Sequence, residues 1–155
     1  DSTSTYFLAH SASGVYAFTL LFMPSILSTA PDLHANIKGT FIASAQSHFK
    51  PTGHDVGPYN MTNMYYGSPE EMTVHALPTL FQALPDEGVK WLSPLTLIEC
   101  EHDPQWFKVV VGDFHKVLGG RAWREGTADH NHISFSCAVS MGQGEGCMED
   151  VMVWI

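Results

Sequence analysis

Two histidines placed two residues apart form the pattern in this sequence that is most typical of a metal site. His130 and His132 flank Asn131. On a β-strand, residues i and i+2 point to the same side, and strands present histidines to zinc in this way. Three other residues are candidates for a third ligand: His102, Asp103 and His115. No second motif with a fixed spacing supports them, so we assign no metal and no cofactor and leave the pattern open.

Other signatures of catalysis are absent from the sequence. The nucleophile motif Gly-x-Ser-x-Gly does not occur. The glycine-rich stretch Gly142–Gly146 has no following Lys-Ser/Thr, which indicates a loop rather than a nucleotide cradle. Glu99, Glu101 and Asp103 alternate along the end of a predicted strand, a pattern typical of a solvated edge. We therefore name no catalytic residue and predict that the protein is not an enzyme.

The elements that must position any site are predicted to be strands. Pro and Gly recur about every 8–12 residues, which leaves little room for ordinary helices and is typical of sandwiches and barrels. The runs between them are rich in Val, Ile, Phe, Tyr and Thr. The predicted strands are Val15–Phe22, Leu33–Ile37, Thr40–Phe49, Asn60–Tyr66, Pro94–Cys100, Trp106–Val111, Phe114–Leu118, His132–Val139 and Glu149–Ile155. Only Glu70–Leu77 and Thr79–Leu84 are compatible with short helical turns.

The pattern within these runs predicts an all-β fold, an antiparallel β-sandwich. Apolar and small residues alternate from Ile133 to Val139, as in a strand with one buried side. The apolar run in Trp106–Val111 is continuous, as in a strand that is covered on both sides. No repeat or linker interrupts the chain, so we predict one domain over residues 1–155.

Composition and charge restrict the partners. The chain has 155 residues, 45% of them apolar and 15% charged, with a net charge of −9. No basic cluster exists, which argues against nucleic acid and anionic membranes. The apolar run Val15–Ile26 is too short and interrupted for a membrane span. Three cysteines favour a reduced compartment. Because the chain opens without the basic start of a signal peptide, we expect a cytoplasmic protein or one exported by a non-classical route.

Several segments resemble the galectin family. Phe107–His115, followed by Arg121, resembles the galectin pattern FKVxVNxxH…R. Three earlier segments resemble galectin motifs in the family's order: Leu33–Gly39 (F-x-I-N-L), His48–Thr52 (H-F-N-P-R) and Tyr66–Met72 (W-G-P-E-E-R). The resemblance implies a jelly-roll β-sandwich that binds β-galactosides on one face of a sheet.

The resemblance also implies a carbohydrate-binding site. Its residues would be His48, Lys50, Thr52, Asn60, Tyr66 and Glu70. Lys50 and Thr52 stand where the family has Asn and Arg, and Tyr66 stands where it has Trp. A lysine cannot reproduce the planar donor fork of arginine. The resemblance therefore implies a lectin with divergent or weakened galactoside specificity.

Three functions follow from these patterns. A lectin-type module that binds glycans is favoured. The first alternative is a metal-dependent enzyme on a β-sandwich or cupin-like barrel, supported by His130 and His132. The second is a structural, self-assembling β-sandwich with a decayed sugar site. In that case a terminal strand that ends in the apolar run Val151–Ile155 would pair with a second copy to form a homodimer.

Overall fold

A parallel β-sheet forms the centre of the molecule. The computed structural model describes residues 5–30, 32–47, 66–86 and 92–141. Within these ranges the strands are β1 (Thr5–His10), β2 (Ile37–Ala43), β3 (Leu95–Cys100) and β4 (Ala122–Thr127). Their order in the sheet is β1-β2-β3-β4, and each neighbouring pair is parallel. Parallel neighbours need crossover connections, so the chain must return to the same edge of the sheet after each strand.

Helices provide these connections. Between β1 and β2 lie α1 (Ala12–Phe22), α2 (Pro24–Thr29) and α3 (Leu33–Asn36). The described residues between β2 and β3 include α4 (Pro69–Val74) and α5 (Leu77–Gln82). Helix α6 (Gln105–Leu118) and a 3₁₀ turn (Gly119–Arg121) join β3 to β4, and α7 (His132–Met141) follows β4. None of these helices combines the length and apolar character that crossing a membrane requires.

The core consists of two clusters, and successive residues of the strands belong to different clusters. Ile42, Leu95 and Leu97 pack with buried residues of α1, α5 and α6. Their sequence neighbours in β2 and β3 pack in a second cluster that includes Phe135 of α7: Phe41, Ala43, Ile98 and Cys100. Side chains of successive strand residues point to opposite sides of a sheet. The sheet is therefore covered on both sides, as is usual for parallel sheets.

Gly14 lets α1 lie close to the sheet. A Cβ at this position would be 2.5 Å from the Ala45 Cβ and 2.8 Å from the Ile42 Cγ2. Contacts that short do not occur, so any larger residue would push the helix away. Because Gly14 is in the first turn of α1, this close approach also fixes the turn that joins β1 to α1.

The prediction of an all-β, antiparallel jelly-roll sandwich is wrong. Of the predicted strands, Pro94–Cys100 is confirmed as β3, and the helical turns at Glu70–Leu77 and Thr79–Leu84 correspond to α4 and α5. Other predicted strands are helical: Val15–Phe22 lies in α1, Trp106–Val111 and Phe114–Leu118 lie in α6, and His132–Val139 lies in α7. The buried residues of α1, which include Ala17, Phe18 and Leu21, follow helical spacing. Burial of that stripe outweighs the strand preference of aromatic and β-branched residues.

The galectin resemblance fails for the same reason. Gly112 and Asp113, interpreted as a hairpin turn, lie inside α6. Leu33–Gly39, interpreted as one strand, is divided between α3 and β2. The predicted strand Glu149–Ile155 lies outside the described residues. The same is true of the predicted strand Asn60–Tyr66, apart from its last residue. The single domain over 1–155 stays a prediction.

Candidate active site

The carboxyl edge of the sheet brings together polar residues that are far apart in sequence. Ser11 directly follows β1, and Ser44 directly follows β2. Asp103 lies in the loop after β3, and His132 begins α7 after β4. In open α/β sheets, ligands bind outside the carboxyl ends of the strands. We therefore take this edge as the candidate site.

Ser11 occupies a sharp turn between strand and helix. Its φ of 55° and ψ of −126° are unusual for a residue with a side chain. The Ser11 N–H donates to the Ala43 carbonyl oxygen at 2.9 Å, which ties the turn to the end of β2. Strain of this kind costs on the order of 1–3 kcal/mol and is concentrated at functional sites. A strained serine between a strand and a helix is the geometry of a nucleophile elbow.

His132 lies next to this serine. Its Nε2 atom is 2.7 Å from the Ser11 Oγ atom. The position of His132 follows from the start of α7, where the Asn131 side chain accepts hydrogen bonds from the backbone N–H groups of Ile133 and Ser134, each at 2.9 Å. The Asn131 N–H in turn donates to the Ser134 Oγ at 2.9 Å. This reciprocal capping makes His132 the first residue of the helix.

Asp103 faces the other nitrogen of the same ring. Its Oδ1 atom is 3.4 Å from the His132 Nδ1 atom. Both atoms are buried, and neither has a hydrogen-bond partner in this structure. The distance is long for a hydrogen bond, but catalytic contacts often tighten only when substrate binds. The Asp103 side chain is 1% exposed, so this carboxylate depends on its protein partners rather than on water.

The second oxygen of Asp103 is held firmly. Its Oδ2 atom accepts hydrogen bonds from the Ser44 hydroxyl and from the Cys100 backbone N–H, the latter at 3.1 Å. Ser44 has a φ of 48°, and its N–H donates to the Ile98 carbonyl oxygen at 2.8 Å. Two donors on one oxygen hold the carboxyl group in place and leave the other oxygen facing His132.

Two rings contact the His132 imidazole. Phe107 is nearly parallel to it, with a centroid distance of 4.5 Å and an angle of 27°. The His10 ring is also 4.5 Å away, at 45°. The His10 Nδ1 atom is hydrogen-bonded to the Ser136 Oγ atom at 2.7 Å. Burial lowers the pKa of His10 and the adjacent His132 lowers it further, while Asp103 opposes the shift. His10 is therefore neutral at neutral pH.

The sugar-site prediction is only partly within the described residues. His48, Lys50, Thr52 and Asn60 lie outside them. Tyr66 is helical, and its ring stacks on His75 with a centroid distance of 5.8 Å. Glu70 is exposed in the first turn of α4. Neither residue lies on a strand, and the grouping of all six residues in one site stays untested.

The metal-dependent alternative is not supported. His132 contacts Ser11 and Asp103, whereas the His130 Nδ1 atom lies 3.3 Å from the Ser134 Oγ atom. The His115 Nε2 atom is bonded to the Ala122 carbonyl oxygen at 3.1 Å. Within the described ranges, one group has ligand atoms close enough for a metal ion, the exposed trio Glu101, His102 and Asp129. It contains neither His130 nor His132.

The sequence analysis did not predict that Ser11, Asp103 and His132 lie together. Ala9 and Ser13 stand where the motif Gly-x-Ser-x-Gly has glycines, so Ser11 escaped a search for that motif. Asp103 was interpreted as part of a solvated edge but is buried. The available signal was Asn131-x-x-Ser134, a capping pair that marks a helix start and not a strand.

The fold is shared with solved α/β hydrolases. An esterase from Lactobacillus Rhamnosis superposes with a TM-score of 0.57 at 13% identity, covering 98% of this chain and 55% of that one. An α/β hydrolase enzyme from a lagoon-sediment metagenome superposes with a TM-score of 0.50 at 15% identity, covering 99% of this chain and 61% of that one. The chain thus spans less than two thirds of the length of these proteins. No protein-family model matches the sequence, and no curated protein sequence does either.

These likenesses correct the functional predictions from sequence. The fold is that of the α/β hydrolases, so the assignment to the galectins and to a lectin-type module is wrong. The alternative of a self-assembling β-sandwich is wrong for the same reason. The prediction that the protein is not an enzyme rested in part on that sandwich, and it is contradicted with it. Glycan partners, homodimer formation and the exclusion of nucleic acid and membrane insertion are untested predictions.

Proposed function

We propose that the protein is a serine hydrolase that cleaves carboxylic esters. Ser11 is the nucleophile, His132 the general base and Asp103 the residue that orients the base. One observation carries the proposal: the Ser11 Oγ atom lies 2.7 Å from the His132 Nε2 atom, while the His132 Nδ1 atom faces a buried carboxylate. A nucleophile, a base and an orienting acid in this order form a triad that is recognised by geometry rather than sequence position.

In the first half of the reaction, Ser11 becomes acylated. The Ser11 oxygen forms a bond to the ester carbonyl carbon as its proton passes to the His132 Nε2 atom. Asp103 accepts the hydrogen bond from Nδ1–H and stabilises the resulting imidazolium. The tetrahedral intermediate then loses the alcohol, which leaves with the proton that His132 returns to it.

In the second half, water releases the acyl group. His132 takes a proton from the water as the water oxygen attacks the acyl carbon. The bond to Ser11 breaks, and His132 returns the proton to the serine oxygen. The products are one carboxylic acid and one alcohol, and the three side chains regain their starting states.

The start of α1 supplies a donor for the developing oxyanion. Backbone N–H groups of the first helical turn have no intrahelical acceptor, and Ala12 is the first residue of α1. The helix dipole also favours negative charge at this end. The Ala12 N–H is next to Ser11 in sequence, the position from which a nucleophile elbow donates to the oxyanion.

The shared fold supports the proposal without deciding the substrate. One of the structures that superpose is an esterase and another is an α/β hydrolase enzyme. At 13% and 15% identity, these likenesses carry the fold and not the activity. The triad contacts in this chain carry the chemistry.

Hydrolysis of p-nitrophenyl acetate tests the proposal. We expect release of p-nitrophenol by the protein and a loss of at least about 10³-fold in kcat in Ser11→Ala, because the nucleophile is gone. Ser28→Ala is the matched control, since Ser28 is an exposed serine in α2, and it should retain full activity. Equal activity of Ser11→Ala and the parent protein would contradict the proposal.

A further inference from the structure

His10 connects the strand that carries the nucleophile to the helix that carries the base. It is the last residue of β1 and precedes Ser11. Its ring contacts the ring of His132, and its Nδ1 atom is hydrogen-bonded to Ser136, one turn further along α7. Two adjacent residues at the carboxyl end of β1 therefore contact two residues of the same face of α7. Ser11, directly after the strand, contacts His132, and His10, its last residue, contacts Ser136.

A base at the start of a helix needs contacts that fix the orientation of its ring. The His132 ring can rotate about two side-chain bonds, and only one orientation puts Nε2 toward Ser11 and Nδ1 toward Asp103. The distance from its Nδ1 atom to the Asp103 Oδ1 atom is 3.4 Å, which is long for a hydrogen bond, so this contact alone fixes the ring weakly. The rings of Phe107 and His10 restrict the remaining freedom. A misplacement of about 1 Å can cost on the order of 10²-fold in rate.

The His10 ring is also suited to stand beside a base that becomes charged. His132 and Asp103 are the titratable groups whose charges act on His10, and burial keeps His10 neutral. A neutral ring next to the imidazolium of His132 adds no second positive charge. A lysine or arginine in the same place would oppose proton transfer from Ser11. The hydrogen bond to Ser136 holds the neutral ring in one orientation.

We infer that His10 is a positioning residue that holds the His132 imidazole in register with Ser11, an inference that rests on the proposed function. His10 does not touch the reacting atoms. It acts through the His132 ring, so its loss should lower kcat and leave KM nearly unchanged. A residue needed only for folding would lower the amount of folded protein and leave the rate per folded molecule unchanged.

The test is the rate at which an ethyl fluorophosphonate probe labels Ser11, measured per folded molecule, together with kcat and KM for p-nitrophenyl acetate. His10→Ala removes the ring and the hydrogen bond, and we expect a loss of about ten- to a hundredfold in both rates. His10→Phe keeps a ring in place and should recover most of this loss. Ser136→Ala keeps the His10 ring and removes its hydrogen bond, with an expected loss of about two- to fivefold. If His10→Ala does not fold, His10→Leu fills the same space without a planar ring, and we expect about a tenfold loss.

The outcomes separate this inference from the proposed function. Labelling of the parent protein with unchanged rates in the folded His10→Ala or His10→Leu variant would overturn the role of His10 and leave the proposed function intact. A rise in KM at constant kcat would overturn it as well, since it would place His10 in substrate binding. No labelling of the parent protein would contradict the proposed function and remove the inference with it.

Discussion

The two edges of the sheet differ in which residues adopt left-handed backbone conformations. At the carboxyl edge these are residues with side chains: Ser11 after β1, Ser44 after β2 and Asp129 after β4, with φ values of 55°, 48° and 60°. They are all of the non-glycine residues with positive φ in the described part of the chain. At the amino edge, the turn that leads into β4 uses Gly119, with a φ of 60°. Glycine adopts this conformation without steric cost, whereas serine and aspartate do not.

The two edges also differ in the contacts that their polar side chains make. At the carboxyl edge, buried Ser44 and Asp103 contact each other, and Asp103 also contacts His132. The amino edge has an open cavity of about 310 Å³ lined by Leu92, Ser93, Pro94, Leu95, Leu118, Arg121 and Trp123. This lining contains no acid and base in contact. The non-glycine residues with positive φ and the buried acid that faces a base thus lie at the carboxyl edge, which is typical of a functional edge.

Among the variants that test the difference between the two edges, Asp103→Asn should lose the most activity. In Asp103→Asn, the neutral amide no longer stabilises the imidazolium that forms on His132, and the ring loses the charge that orients it. We expect kcat/KM for p-nitrophenyl acetate to fall by about 10³- to 10⁴-fold with the fold retained. Asp32→Asn, at an exposed position before α3, is the matched control and should retain activity. A loss of less than tenfold in Asp103→Asn would exclude Asp103 as the orienting acid.

The strain at Ser11 predicts a difference in stability between two inactive variants. Ser11→Gly and Ser11→Ala both lack the hydroxyl, but only alanine keeps a Cβ in the left-handed conformation. We expect Ser11→Gly to be more stable by about 1 kcal/mol, or roughly 2–4 °C in Tm. At Ser13, inside α1, the order should reverse, because glycine is about 1 kcal/mol worse than alanine in a helix. Thermal unfolding of the four variants is the measurement, and the same order at both positions would contradict the strain at Ser11.

The buried His10 predicts a pH dependence of stability. Its pKa in the folded protein lies below the ordinary value of 6.5. Below pH 6.5 the unfolded chain therefore binds more protons at this residue than the folded protein does, and the free energy of unfolding decreases as the pH falls. The parent protein should lose more stability than His10→Phe between pH 7.5 and pH 5.5 in urea unfolding. Equal losses would mean that His10 titrates normally in the folded protein.

The smallest effect is expected at the amino edge. Trp123, at the cavity there, is 59% exposed and is remote from Ser11 along the strands. Trp123→Ala should change kcat/KM for p-nitrophenyl acetate by less than about twofold, since surface changes away from a site have small effects. A loss of tenfold or more would show that the difference between the two edges is not functional.

The sequence predicted part of this architecture. The strand at Pro94–Cys100 and the helical turns near Glu70 and Thr79 were recognisable from local composition. The strand assignments in α1 and α6 failed because Phe, Val and Tyr were weighed as strand formers. The helical spacing of the buried residues was the stronger signal, for example Phe107, Val110, Val111, Phe114 and Leu118 in α6. Frequent glycines were interpreted as breaks, although Gly14 and Gly112 lie inside helices.

The site was less predictable than the fold. His132 was noticed only as half of a pair with His130, and the contact between Ser11 and His132 joins residues separated by 121 positions. Only the parallel order of the strands brings their carboxyl ends together. Once the strands were predicted to be antiparallel, no reasoning from local motifs could have placed Ser11, Asp103 and His132 at one edge.

Mapping the residue that the probe labels tests whether Ser11 is an activated nucleophile. The protein would be treated with the ethyl fluorophosphonate probe at pH 8, digested and analysed by peptide mass spectrometry. We expect a single adduct on Ser11, formed by attack of its oxygen on phosphorus with release of fluoride, and no adduct in Ser11→Ala. An unlabelled protein, or an adduct on another serine with Ser11 unmodified, would contradict the assignment of Ser11 as a nucleophile activated by His132.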